Sequence, residues 1–227
     1  MYKYKIASIS YTVQTKGYNS GKPAVFIKFV NYSKPEGNYQ ELTSTEIAEI
    51  VNNLIPDNIY PMIVFSGYEP LKQLNSNFTL IEKLNNYFIC LESDGNIKPN
   101  YAGINWFTVI PNAGNNVNIS FANEVIFKVN EKGIIHPPNS GMFKANYYFL
   151  QPLTNSKSAL RIATNQCLNF ILGKVKDSFY PNIDWRLSFD YADFLEWNRS
   201  KKQAQKRLAQ IEMFKSMRKS GKYKNLK

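Results

Sequence analysis

Ten residues constrain the fold of this chain more than any other stretch: Met62-Ile63-Val64-Phe65-Ser66-Gly67-Tyr68-Glu69-Pro70-Leu71. Apolar residues run into a small, glycine-bearing turn, then a Glu-Pro step and a helix-like segment. The pattern describes a buried strand that delivers a loop to the end of a sheet. In open or barrel α/β folds, ligands bind at the loops that follow strand ends. Glycine there lets backbone approach a ligand, and a glutamate can accept from an amine. The same residues also fit an ordinary strand-to-helix turn.

The pattern recurs along the chain. Strands are predicted over 2–13, 24–30, 62–66, 87–92, 106–110, 124–129, 147–150 and 184–189. Thr43-Ser44-Thr45-Glu46 has the spacing of a capping box and predicts a helix to about Leu54. Further helices are predicted over 79–86 and 158–173, the second stopped by Gly173. Asn31 to Gln40 reads as a loop. Strands that alternate with helices or long connections, each ending in a polar loop, argue for a parallel α/β sheet or an incomplete βα barrel.

Composition excludes several chemistries. The chain has 227 residues, two cysteines (Cys90 and Cys167) and one histidine (His136). Three such residues cannot supply the four ligands of a structural zinc site. His136 lies in a loop beside two prolines and is expected to be solvated, which argues against a Ser-His-Asp triad. Both cysteines have apolar neighbours and read as buried free thiols, which suits a reducing, cytoplasmic setting. No apolar run approaches the roughly 20 residues of a membrane helix, and the N-terminus does not read as a signal peptide.

The formal charge of +11 is unevenly placed. Residues 199–227 hold 11 Lys or Arg against the single acid Glu212, a net +10, while the other 198 residues hold 17 basic and 16 acidic side chains, a net +1. Asn198 to Lys219 lacks Pro and Gly and is predicted to be helical, with Ala204, Leu208, Ile211, Phe214 and Met217 as an apolar stripe. Lys201, Lys202, Lys206, Arg207, Lys215, Arg218 and Lys219 flank that stripe. The division expected is a body over 1–197 and a basic helical extension over 198–227. That extension could pack on the body or on a second copy. It could also contact nucleic acid through phosphate neutralisation, or a membrane surface or protein partner.

Several motifs, taken in order, resemble those of the 7-carboxy-7-deazaguanine synthase family, radical S-adenosylmethionine enzymes of the queuosine pathway. Thr12-Val13-Gln14-Thr15-Lys16-Gly17, followed by Lys22-Pro23-Ala24-Val25-Phe26-Ile27-Lys28, is similar to the family's opening strand, Gln-Gly-Glu-Gly-like turn and second strand. Ser66-Gly67-Tyr68-Glu69-Pro70 resembles its Gly-Gly-Glu-Pro turn, which holds the methionyl amine. Glu92-Ser93-Asp94-Gly95, Pro111-Asn112-Ala113-Gly114, Asn123-Glu124-Val125-Ile126, Leu150-Gln151-Pro152 and Trp185-Arg186-Leu187-Ser188 resemble later family segments. The resemblance spans about residues 4–197. It implies an incomplete (βα) barrel of the radical-SAM type, commonly a homodimer. It also implies a substrate-like pocket around Gln14, Lys28, Ser66, Glu69, Glu92, Ser93, Asn112, Lys128 and Gln151. These polar groups could equally serve only to satisfy strand-end backbone. Glu124 and Lys128 share a strand face, where a structural ion pair would explain either.

The departures from the family bear on chemistry. The family's loop after the second strand carries Cys-x3-Cys-x2-Cys, the ligands of a [4Fe–4S] cluster. Here that loop is Asn31-Tyr32-Ser33-Lys34-Pro35-Glu36-Gly37-Asn38-Tyr39-Gln40. Without thiolates the cluster has no ligands and no electron reaches the sulfonium. Tyr68 replaces a glycine and is expected to fill ligand space. Lys28 replaces a substrate-binding arginine, and Thr15-Lys16 replaces Gly-Glu. The expectation is a family relative without catalytic residues, metal or cofactor, acting as a binding or scaffold protein. Its partner is expected to be nucleic acid, a larger nucleic-acid-containing assembly or a protein, met through 199–227. The alternative is an enzyme of deazaguanine-type nucleic-acid modification with a cluster or partner supplied from elsewhere.

Overall fold

The computed structural model of the protein describes residues 2–100, 102–153 and 157–190. The expected boundary at 197/198, the basic helix and its seven flanking cations lie outside the described residues.

Runs rich in apolar and β-branched residues form the strands β1 (Tyr4–Val13), β2 (Pro23–Phe29), β4 (Met62–Gly67), β5 (Phe88–Ser93), β6 (Trp106–Val109), β7 (Phe121–Asn130), β9 (Lys144–Pro152) and β10 (Trp185–Leu187). Two short strands, β3 (Gln40–Leu42) and β8 (Gly133–Ile134), complete one sheet in the order β10-β9-β7-β6-β5-β4-β2-β1-β3, with β8 beside β7. From β2 through β10 the neighbours in that order run parallel. The sheet does not close on itself, as an incomplete barrel requires.

The parallel reading needs correction at three strands. β1 pairs antiparallel with β2 and β3, and β8 antiparallel with β7. The connection from β1 to β2 is too short for a crossover helix, which needs a dozen residues or more, so the chain turns back on itself. Gln40, expected as the end of a loop, instead opens β3, whose residues Gln40–Leu42 pair with Tyr4–Ile6.

Helix α1 (Ser44–Leu54) starts where the capping box predicts. The Thr43 backbone N–H donates to Glu46 Oε2 at 2.7 Å, and the Glu46 N–H donates to Thr43 Oγ1 at 3.3 Å. Two short helices follow, α2 (Leu71–Leu74) and α3 (Thr79–Lys83), and then α4 (Lys157–Ile171), which packs on β7, β9 and β10.

Alternation along the strands sends side chains to two faces. On one face Ile27, Phe65, Leu91, Val125, Phe127 and Leu150 join Ile47 and Val51 of α1, Leu71 and Leu74 of α2, and Cys167 of α4 in the main core. On the other a smaller group, Ala24, Phe26, Met62, Val64 and Cys90, packs with Trp106. This second face is the inner wall of the open barrel. No helix among the described residues is long and apolar enough to cross a membrane.

Candidate functional site

Parallel register carries a polar row across the inner wall. Lys28 of β2 pairs with Ser66 of β4. Glu92 of β5 pairs with Thr108 of β6, Thr108 with Glu124 of β7, and Glu124 with Tyr147 of β9. Because Phe65 pairs with Leu91, the residues that follow them, Ser66 and Glu92, join the two parts of the row.

The β1–β2 loop straps this row. Gln14 Nε2 donates to Glu92 Oε1 at 3.3 Å, and Lys16 Nζ stands 3.0 Å from Glu92 Oε2. The Tyr18 N–H donates to Glu124 Oε2 at 2.7 Å, while Thr108 Oγ1 donates to Glu124 Oε1 at 2.7 Å. The Gly17 N–H reaches Ser188 Oγ, just beyond β10, at 3.0 Å. Gly17 has φ of +69°, and a Cβ there would stand 2.5 Å from Glu124 Oε1. Only glycine fits that crossing without a shift. Burial pushes the Glu124 carboxyl up, opposed by the Tyr18 and Thr108 hydrogen bonds. The ion pair expected to explain Glu124 is therefore replaced by neutral donors.

The strap carries an aromatic ring with it. Tyr18 stacks on Trp106 and Tyr147, with centroids 5.2 and 4.4 Å away, and the three rings lie within 30° of parallel. The Arg186 guanidinium lies over Tyr147, 5.1 Å from the centroid.

Glu69 stands at the neighbouring strand end. Ser93 Oγ donates to its carboxylate at 2.9–3.0 Å, and the Asp94 N–H at 3.1 Å. Burial pushes this carboxyl up to about 7, against the Asp94 N–H, which favours the charged form. Asn112 reaches the same loop through Asp94 Oδ2 at 3.5 Å. Ser66 Oγ is buried with no hydrogen-bond partner, while the Trp106 side chain faces Glu124 and favours its charged form.

The residues expected at a substrate-like pocket thus divide. Gln14 and Glu92 are bonded, with Ser66 in the same row, Glu69, Ser93 and Asn112 form an adjoining loop cluster, and Lys28 is exposed beside Ser66. Lys128 and Gln151 pair with each other further along β7 and β9. Sequence reading missed Tyr18, Thr108, Tyr147 and Ser188 as site residues. The only signal for Thr108 is a polar residue at an inward position of an apolar strand.

Tyr68, expected to fill ligand space, is 51% exposed, with Lys72 Nζ over its ring 5.0 Å from the centroid. One expectation is corrected. His136 is not solvated. It is half-buried, with Nε2 2.6 Å from Asp177 Oδ2 and Nδ1 2.7 Å from Ser140 Oγ. Ser140 and Asp177 are themselves buried, so this trio ties two loops together rather than presenting a nucleophile.

The residues present do not fit an iron–sulfur cluster. The loop after β2 presents no thiol. Cys90 on β5 and Cys167 on α4 are buried in separate parts of the core, and burial pushes both thiols up to about 12. Among the described residues no group of three or more His, Cys, Asp or Glu is arranged to hold a metal ion. A groove of about 700 Å³ opens elsewhere, between the Ile6–Ile9 segment of β1, residues 37–40 and Ile50.

No family model matches the sequence. The 7-carboxy-7-deazaguanine synthase of Bacteroides thetaiotaomicron is 27% identical, over 70% of this chain and 86% of its own length. The protein of the same name from Nitratidesulfovibrio vulgaris is 25% identical, over 66% of this chain and 81% of its own. The crystal structure of QueE from Escherichia coli matches the fold with a TM-score of 0.56 at 19% identity, covering 82% of this chain and 93% of that one. The open, mainly parallel sheet thus has an incomplete-barrel fold of the radical S-adenosylmethionine type. In sequence, the chain is similar to the 7-carboxy-7-deazaguanine synthases.

Proposed function

We propose that this chain keeps the open-barrel fold of its relatives but works by binding a partner, without radical chemistry. The observation that carries this reading is the placement of thiols: none in the loop after β2, and two sealed in the core with pKa values pushed up to about 12. A cluster needs deprotonated thiolates converging on one point. Two further features support it. The carboxylate matched to the methionyl-amine turn, Glu69, is taken by Ser93 and Asp94 of its own chain, and the polar row is strapped by the β1–β2 loop. The partner proposed is nucleic acid, met through the cationic residues 199–227. Reconstitution with iron and sulfide under anaerobic conditions tests the reading. Metal analysis is expected to return no stoichiometric iron or sulfide, and calorimetry no binding of S-adenosylmethionine. A bound cluster that yields 5′-deoxyadenosine would instead establish the enzymatic alternative, with ligands from outside this chain's loop.

A further inference from the structure

We propose that the Tyr18 stack is a landing surface for the bases of single-stranded nucleic acid, on the body of the protein and separate from the cationic extension. The inference rests on the nucleic-acid part of the reading above and adds a second site to it.

The geometry is that of a tiered platform. Trp106 and Tyr147 come from strands β6 and β9, fixed by the sheet, and Tyr18 lies across both. Its backbone is anchored by the N–H to Glu124, and the preceding residue by the N–H to Ser188. A ring held this firmly ordinarily packs into a core. This one remains 44% exposed. Fixed, partly open aromatic faces are what unpaired bases stack on, with little entropy left to lose on contact.

The charges around the stack fit a phosphate backbone. Arg186, its side chain 46% exposed, lies over Tyr147. Lys22 is exposed and donates to Asn19 Oδ1 at 3.0 Å, next to Tyr18 in the strap. Lys28 is exposed six residues on, on the inner face of β2. The nearby acids oppose this less than their number suggests. Glu92 is paired with Lys16, and Glu124 is buried with its carboxyl pushed up and bonded to Thr108 and Tyr18. Asp184, 90% exposed, lies 3.9 Å from Arg186 and partly offsets its charge. A duplex hides its base faces, so the platform discriminates for single strands.

The test uses the full chain and a fluorescently labelled single-stranded deoxythymidine oligonucleotide, with a duplex of equal length as control. Tyr18→Ala is expected to weaken single-strand binding about 10-fold, as the loss of one stacked base does, and to leave duplex binding unchanged. Tyr18→Phe, which keeps the ring, is expected to retain wild-type affinity, and Arg186→Gln to weaken binding in the same direction as Tyr18→Ala. Circular dichroism establishes that each variant is folded. If Tyr18→Ala leaves single-strand affinity unchanged, or lowers single-strand and duplex binding alike, the platform is overturned. It is equally overturned if the full chain binds neither, or if the variant alters self-association instead, which would make the stack a contact between copies. None of these outcomes touches the cluster-free reading, which stands or falls on iron content.

Discussion

Glu69 is the residue whose environment most alters its chemistry. Folding lifts its carboxyl from the ordinary 4.5 to about 7, chiefly by burial. Between those values the folded chain holds a proton that the unfolded chain has released. Stability from this group is therefore full below about 4.5 and lost as pH rises through 7. Glu124 is shifted in the same direction and adds to the slope. Glu69→Gln keeps an oxygen for Ser93 and Asp94 but cannot ionise. Its thermal midpoint is expected to depend less on pH than that of the wild type between 5 and 8, with the variant gaining on the wild type toward pH 8. Identical pH profiles would show that Glu69 is not the titrating group. The opposite sign applies to Glu46, exposed at the start of α1, whose carboxyl the Thr43 bonds hold below the ordinary range.

At the scale of elements, what was legible in the sequence follows from how local the signal is. The start of α1 is legible because both halves of its cap lie three residues apart. Thr43→Ala removes the side-chain acceptor for the Glu46 N–H and is expected to destabilise the protein by about 1 kcal/mol. A shift in the denaturant midpoint at unchanged slope is the measurement, and no shift would mean the cap is redundant. The inner strands are legible for a similar reason, since a short continuous apolar run, buried on both faces, is written along each one. Register is different. Nothing in the order of residues says that Glu124 meets Thr108 on one side and Tyr147 on the other, or that the β1–β2 loop reaches across to Ser188. Polar strand-end residues could therefore be picked out one by one, while the way the β1–β2 loop crosses them, and the ring it carries, could not. His136 escaped for a like reason: its partner Asp177 lies 41 residues away in the sequence.

For the whole molecule, the charge distribution matters more than any one contact. The first 198 residues carry a net +1 and the last 29 carry +10. Binding to nucleic acid through 199–227 is expected to fall steeply with added salt, because each neutralised phosphate releases counterions. Deleting those residues is expected to flatten the dependence of log affinity on log salt concentration, leaving a weaker, stacking-dominated component. A truncated chain with the full salt slope would move the contact onto the body. The described body is held by a core running through β2, β4, β5, β6, β7 and β9 onto α1 and α4.

The segment after β2 has a consequence for how such a protein changes over generations. Residues 31–39 are almost wholly at the surface and bond at short range or at the periphery: the Ser33 and Lys34 backbone N–H groups donate to the Asn31 side chain, and Lys5 Nζ donates to the Tyr32 carbonyl. Away from Gly37, whose φ of +74° favours glycine, substitutions at such surface positions usually alter stability by no more than about 0.5 kcal/mol. Selection for a folded chain therefore constrains the rest of this loop little. Mutational drift can erase or restore a set of metal ligands here while the framework beneath stays intact, so in a lineage of this architecture the reaction is far more easily lost, or regained, than the shape.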